Sequence, residues 1–433
     1  MNATTYRCPC CGAPLAYGSA SGKLECASCG NSYDVEALEA MNPIESDEGI
    51  QFEMPKQTFD EGDAQTMQAY VCKSCGAELM TEETTTATEC PYCGSPTILP
   101  NRIDGGVKPE LVIPFTVTKE EAQKRFDEYF KGKLLLPNLF KNSRNRISEM
   151  RKLYVPYWLF DCEAQADIVY DAEKRHKERR GEWEIERVEH YIARRSGSMC
   201  FDSIPVDGSA KLDNRISESL EPYDLTAAVP FQPAVLVGAM ADCADVNATE
   251  CEGRAVERVE TSMSSAIRDT VNGYDSVRER SKSIQAQSGK ITPVLMPVWL
   301  ITTDKADKTY TFAINGQTGK LTCDVPADKK KSLALGGGVF AGVLGISALV
   351  MYLLECLASG TLLLAALAAL ILALIVVGIL KGQLKQAVKQ SAAANYIRKD
   401  SFQLHGRYDH FLYTTTHQRK IENSKDEGEG KKA

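Results

Sequence analysis

Eight cysteines of this chain fall into two sets of four with identical internal spacing, and no other feature restricts the fold so tightly. Cys26 and Cys29 recur 64 residues later as Cys90 and Cys93, and the same offset carries Cys8 and Cys11 onto Cys72 and Cys75. The crowded opening "CPCC" is thereby sorted: Cys8 and Cys11 are the ligands, and Cys10, whose counterpart is Ser74, is a spare thiol. More than cysteine repeats. Gly12, Ala13 and Leu15 match Gly76, Ala77 and Leu79, while Glu25 and Gly30 match Glu89 and Gly94. Each C-x2-C pair is followed by glycine, which supplies the positive φ that finishes a knuckle with its N–H groups turned toward sulfur. The fourteen residues between the pairs suit a short β-hairpin that returns the second knuckle beside the first. Four thiolates at about 2.3 Å form a closed tetrahedral zinc site with no position for water. Two structural Zn2+ ions are therefore expected, one on Cys8, Cys11, Cys26 and Cys29 and one on Cys72, Cys75, Cys90 and Cys93. Metal binding worth roughly 10–16 kcal/mol would supply most of the folding free energy of ribbons this small.

Nine of the fifteen cysteines lie between residues 8 and 93. The first twenty residues hold a cysteine cluster and no apolar core, so no cleavable secretory signal is expected, and the thiols read as reduced in a cytosol. Nucleic acid is disfavoured on charge. The net charge is −8 and the pI near 5.4. The first ribbon offers Arg7 and Lys23, the second only Lys73, and residues 34–63 carry ten carboxylates against Lys56. A phosphate backbone needs clustered cations instead. Nucleotide hydrolysis is disfavoured as well: "NGQTGKLT" has Ile314 where a P-loop requires its first glycine, and "TYTFAINGQTGKLTCDV" alternates like two strands about an Asn-Gly turn.

Residues 101–328 read as a mixed α/β body. "VIPFTVTKEEAQKRFDEYFKG" predicts a short strand ending at Pro114 and then a helix, with Thr118 as N-cap and Glu121 completing a capping box. "LYVPYWLFDCEAQADIVYDAE" is rich in β-formers, with Pro156 expected at an edge or bend. The later "VLMPVWLITTDKADKTYTFAINGQTGK" echoes it, Pro156-x-Trp158-Leu159 matching Pro297-x-Trp299-Leu300. "IPF" at 113–115 and "VPF" at 229–231 each precede a helical segment, the second from Glu250 to about Thr270. These echoes predict an internal duplication of strand–helix–strand-hairpin lobes. "AEKRHKERRGEWEIERVEHYIARR" mixes charges densely and reads as a solvated hairpin or helix face. No catalytic constellation is found: the five histidines form no HExxH motif, and Cys162, Cys200, Cys243, Cys251 and Cys323 are isolated thiols. No catalytic residue is assigned.

Leu333–Leu354 and Thr361–Leu380 are uncharged runs of 22 and 20 residues, each long enough to cross about 30 Å of hydrocarbon. Only Glu355–Gly360 separates them. Lys329, Lys330 and Lys331 precede the first run and Lys381, Lys385 and Lys389 follow the second, so both flanks are expected on the cytoplasmic side of a cell membrane. Gly338-xxx-Gly342 and Ala365, Ala369 and Ala373 offer small faces for close helix contact. With no ionisable group mid-span, the hairpin reads as an anchor and not a transport path. The expected fold class is multidomain α+β: zinc ribbon 1 over 1–33, an acidic linker over 34–69, zinc ribbon 2 over 70–100, the body over 101–328, a two-helix transmembrane hairpin over 329–381, and a cytosolic C-terminal segment over 382–433. That segment begins Lys-rich and amphipathic, and its last dozen residues read as disordered.

"CKSCGAEL…CPYCGS", "KLYVPYWLFDCEAQADIVYDAE", "YDLTAAVPFQPAVLVGAMADCADV" and a late apolar hairpin followed by "DHFL" resemble bacterial membrane-anchored zinc-ribbon proteins of the transcription-factor-B type. Members are often labelled primosomal replication helicases, a label that the absence of helicase motifs here does not support. The resemblance covers most of residues 70–415. It implies a non-enzymatic scaffold or adaptor that recruits protein partners to the membrane, related to phage-shock-type and flotillin-like envelope-stress systems. Two other readings stay open: a membrane-tethered nucleic-acid-binding or transcription-related protein, and a ligand or redox sensor using the body or Cys10. Partner identity and oligomeric state are not legible.

Overall fold

The computed structural model describes residues 6–41, 52–55, 58–59, 63–82, 89–96, 98–101, 106–137, 150–305, 308–323, 325, 327–354, 359–384 and 387–420. The first cysteine unit is a three-stranded sheet of β1 (Ala16–Gly18), β2 (Lys23–Glu25) and β3 (Ser32–Tyr33), followed by helix α1 (Val35–Glu39). A second sheet holds thirteen strands among the described residues. They are β4 (Phe52–Glu53), β5 (Met67–Cys72), β6 (Glu78–Glu82), β7 (Ile98–Asn101), β8 (Leu111–Val112), β9 (Arg151–Arg180), β10 (Trp183–Asp207), β11 (Val229–Pro230), β12 (Met240–Asp242), β13 (Ser276–Lys305), β14 (Lys308–Asn315), β15 (Leu321–Cys323) and β16 (Gln403–Lys420). The helices after α1 are α2 (Asp63–Thr66), α3 (Lys119–Phe130), α4 (Asn214–Ser219), α5 (Ala248–Arg268), α6 (Lys329–Leu353) and α7 (Ser359–Gly382).

The sheet is organised about the antiparallel pair β9–β13, in which Val155 stands opposite Met296. On either side of that pair the surroundings repeat. β12 runs parallel to β9 at Leu153 and Tyr154, and β8 runs parallel to β13 at Val294 and Leu295. Further on, β10 joins β9 from Tyr157 and β14 joins β13 from Val298. The Trp158 indole N–H donates to the Val246 carbonyl at 2.9 Å, and that of Trp299 to the Val117 carbonyl at 2.9 Å. Each acceptor immediately precedes a helix N-cap, Asn247 for α5 and Thr118 for α3. The Gly208 and Gly316 N–H groups donate to Pro156 and Pro297, and their carbonyls accept from Asp245 and Val246 and from Thr116 and Val117 respectively. Two strand–helix–strand-hairpin units thus face each other across a local two-fold axis at Val155 and Met296.

This geometry revises two sequence expectations. The counterpart of β8 is β12, not "VPF": Val229–Pro230 instead forms β11, which pairs with β8 itself. Apolar–Pro–Phe recurs easily by chance, whereas the true correspondence lies in pairing and cap position, which leave side-chain identity free. Pro156 and Pro297 lie within the sheet, each at the seam where the outer neighbour changes from a short parallel strand to a long antiparallel one. A residue without an N–H fits there because no ladder bond is lost.

Strand alternation explains the core. Residues 158, 160, 162, 164, 166, 168, 170 and 172 of β9 point to one face and pack with α5. Its Cys251, Ala255, Val259, Met263 and Ile267, every fourth residue, form the matching apolar stripe. Beside it α3, held by the expected Thr118–Glu121 capping box, packs Ala122 and Phe126 on Trp299, Phe312 and Ile314. Leu153, Val155, Tyr157 and Leu159 turn to the other face and pack with the second cysteine unit, while Val169 packs with the first.

The densely charged segment is a hairpin, β9–β10 turning at Gly181 and Glu182. The Asn-Gly hairpin is formed by β14 and β15. Residues 34–69, expected as a linker, contain α1, β4 and α2 and begin β5. The segment after α7 returns to the body as β16, which pairs along β10 from Ser198 to Trp183; the expected disordered end lies outside the described residues. α6 and α7 are long and apolar enough to cross a membrane and expose Leu333, Leu349, Leu363 and Leu374. Asp328 caps α6 by accepting from the Lys330 and Lys331 N–H groups. Ala369 and Ala373 are buried. Gly338 and Gly342, expected to draw the helices together, are exposed, and a Cβ on either would meet nothing within 4 Å.

Candidate metal centres

All four knuckles have the same backbone. The N–H of the first cysteine donates five residues ahead (Cys8 to Ala13, Cys26 to Asn31, Cys72 to Ala77, Cys90 to Ser95). The glycine after the second cysteine donates back to the first (Gly12 to Cys8, Gly30 to Cys26, Gly76 to Cys72, Gly94 to Cys90). Those glycines have φ of 75°, 76°, 70° and 71°, the left-handed region that a Cβ disfavours. The spacing C-x2-C-G is therefore a statement about backbone shape, and the chain obeys it four times.

The eight expected ligands come together as two groups, Cys8, Cys11, Cys26 and Cys29, and Cys72, Cys75, Cys90 and Cys93, each with sulfurs within 4.8 Å of one another. Cys8–Cys29 and Cys11–Cys26 approach to 3.5 Å, and Cys72–Cys93 and Cys75–Cys90 to 3.6 Å. Four sulfurs at about 2.3 Å from one ion sit about 3.8 Å apart, close to this spacing. Either group can hold a metal ion.

The two sites differ in setting. In the first, Cys8 and Cys26 are buried while Cys10, Cys11 and Cys29 are exposed. The Tyr33 hydroxyl lies 3.1 Å from Cys8 Sγ, and Asn31 Nδ2 donates to Cys29 Sγ at 3.4 Å. Burial opposes ionisation of Cys8, but the Tyr33 hydroxyl and the N–H groups of Cys11 and Cys10 outweigh it and bring its pKa down to about 6. In the second, Cys72 and Cys90 are fully buried among Leu79, Tyr157 and Leu159. Burial again opposes the charge on Cys72, and the N–H groups of Cys75 and Ser74 bring it to about 7, whereas burial pushes Cys90 well up. Two cations stand beside this site: Lys211 donates to the Cys75 carbonyl at 2.8 Å, and Arg151, paired with Glu89 at 2.8 Å, lies against Gly94. With Arg151 already paired, Lys211 is the cation that would offset the surplus negative charge of four thiolates around a divalent ion.

Sequence reading missed how the second unit is locked to the body. Tyr92, within the "CPYC" knuckle, donates to buried Asp242 at 2.5 Å, and Ser209 donates to the same oxygen at 2.5 Å. Burial pushes the Asp242 carboxyl up to about 7 despite these donors. Tyr92 was visible as a departure from Ser28, its counterpart in the first unit; its partner was not. Of the isolated thiols, Cys162 and Cys243 are pushed up to about 12 by burial, and Cys323 donates to the Tyr129 hydroxyl.

A protein of Bacillus subtilis (strain 168) described as "Uncharacterized protein YdjG" is 34% identical over 340 residues, spanning 78% of this chain and 94% of that relative. The chain belongs to the YdjG family. No family model and no solved structure matches it. The match extends over nearly the full length of the relative, so it is not confined to one motif.

Proposed function

We propose that the chain is a non-enzymatic scaffold, anchored by α6 and α7 across the cell membrane, with zinc in both cysteine groups and its body and termini in the cytoplasm. The observation that carries this reading is the hairpin. Both its ends enter the folded body, while Leu333, Leu349, Leu363 and Leu374 expose apolar surface that water would not tolerate. The lysines at 329–331 and 381 gather at the body end, as the positive-inside pattern requires.

Zinc is favoured by four thiolates per site, a donor set that selects soft or borderline metals and leaves no open position. The second ribbon is a structural part of the sheet. The first rests on the sheet and presents Cys10, Cys11 and Cys29 to solvent, so it is the one we assign to protein partners. Phage-shock-type or flotillin-like membrane proteins are the partner class that the family resemblance supports.

The test is a crosslinked pull-down from membranes with wild-type chain and with Cys11→Ser and Cys29→Ser together. Loss of the captured partners in the variant, with the chain still in the membrane, supports the assignment. Unchanged capture removes the first ribbon from the binding role.

A further inference from the structure

Between α6 and α7, in the half of the hairpin next to the body, lies a cavity of about 520 Å³. Its walls are apolar, with Phe340 at the deep end and Val377 on the facing helix, and Lys329 and Lys381 stand at its mouth. Gly336 and Gly337 make the room. A Cβ on Gly336 would touch Val377 at 3.4 Å, and one on Gly337 would project into open space. From Lys329 to Phe340 the helix rises about 16 Å, and one leaflet of hydrocarbon is about 15 Å deep. The groove therefore runs from the membrane surface to the bilayer midplane and no further. Neither lysine has a carboxylate partner among the described residues. Lys381 also lines a second cavity of about 640 Å³ on the body, where Ser219, Thr322 and Gln390 supply polar groups.

We propose that this groove holds an acyl chain of one anionic phospholipid from the cytoplasmic leaflet, its phosphate against Lys329 and Lys381 and the remainder of the headgroup toward the body cavity. Depth, apolar walls and the paired cations at the mouth match that molecule and no soluble one: a free phosphate would leave the groove empty, and an apolar peptide would leave the lysines without a counter-charge. The occupied site would join α6 to α7 along the cavity that lies between them. The proposal rests on the hairpin crossing the bilayer.

Carbonate-washed membranes first show whether the full-length chain is integral. The chain is then purified in neutral detergent, and native mass spectrometry follows retention of added phosphatidylglycerol against phosphatidylcholine with the same acyl chains. The wild type is expected to favour phosphatidylglycerol by roughly tenfold or more, from two lysines at the surface. Lys329→Gln with Lys381→Gln should hold the two lipids equally, and Gly337→Leu, whose Cβ meets nothing within 4 Å and whose side chain would take up room in the groove, should lower retention of both. Melting curves like the wild type's show that the variants fold. Equal retention of both lipids by the wild type, or wild-type retention by Gly337→Leu, overturns the proposal and leaves the anchor intact. Release of the chain by carbonate overturns the anchor and the proposal together.

Discussion

Replacing Arg258 by methionine tests whether a buried ion pair ties the segment after α7 to the body. Arg258 and Glu221 are 3% and 2% exposed and are joined twice, at 3.0 and 2.6 Å. Arg258 also donates to the carbonyls of Pro205 at 2.8 Å and Ala392 at 3.4 Å, and the Tyr396 hydroxyl donates to Glu221 at 2.7 Å. Burial raises the Glu221 pKa, and the Arg258 hydrogen bonds hold it down. Arg258→Met leaves that carboxylate buried with Tyr396 and orphans two carbonyls, a loss of about 3–5 kcal/mol for a broken buried pair. At about 2–4 °C per kcal/mol for a domain of this size, Tm should fall by about 10 °C. Arg258→Met with Glu221→Leu removes both charges and should recover most of the loss, because well-packed apolar replacements of such pairs are near neutral. The assay is thermal unfolding of the full chain in detergent, followed by tryptophan fluorescence, with Trp158 and Trp299 buried in the sheet and Trp183 exposed at the start of β10. A loss below about 1 kcal/mol for the single variant, or a double variant less stable than the single, would mean that the pair is solvated and the reasoning wrong.

Three further outcomes are expected. Trp158 and Trp299 occupy equivalent places, and replacing either by Phe takes the indole donor from one carbonyl, partly buried at Val246 and buried at Val117; both should cost about 1–3 kcal/mol in thermal unfolding followed by circular dichroism, and a cost at one site only would refute the equivalence. Cys72→Ser should lower bound zinc by one ion per chain and lower Tm, whereas Cys11→Ser should lower zinc equally with little change in the unfolding of the body, as read by metal analysis beside the melting curve. The Asp242 carboxyl, raised to about 7 by burial, binds a proton in the folded state that the unfolded chain releases. The stability linked to that proton is fully present below the unfolded pKa of about 4, declines as pH rises from there, and is gone once pH has passed the folded value of about 7. Between pH 6 and 8 the wild type should lose about 1.4 kcal/mol that Asp242→Asn does not lose; denaturant titrations at the two pH values measure the difference.

What could be read in the sequence depended on whether the constraint was local. Four C-x2-C-G knuckles announce themselves because ligand spacing and positive φ are fixed within five residues, and the Thr118–Glu121 cap is equally short-range. The hairpin is legible from composition alone. The duplication showed in Pro156-x-Trp158 and Pro297-x-Trp299, because both residues serve backbone positions that recur: the seam in the sheet and the carbonyl before a helix. It failed at "VPF", where β8 and β12 share pairing but almost no residues. β16 was invisible because "TTTHQRK" is polar on both faces, as suits a strand with one neighbour and open solvent. The Arg258–Glu221 and Tyr92–Asp242 contacts join residues far apart in the chain, and nothing nearby in sequence requires either.

Counting zinc in the full-length chain taken from carbonate-washed membranes tests the metal and the anchor together. The chain should stay with the bilayer and carry two ions, one for each cysteine group. A chain found in the wash, or one that holds no zinc while folded, would contradict that expectation.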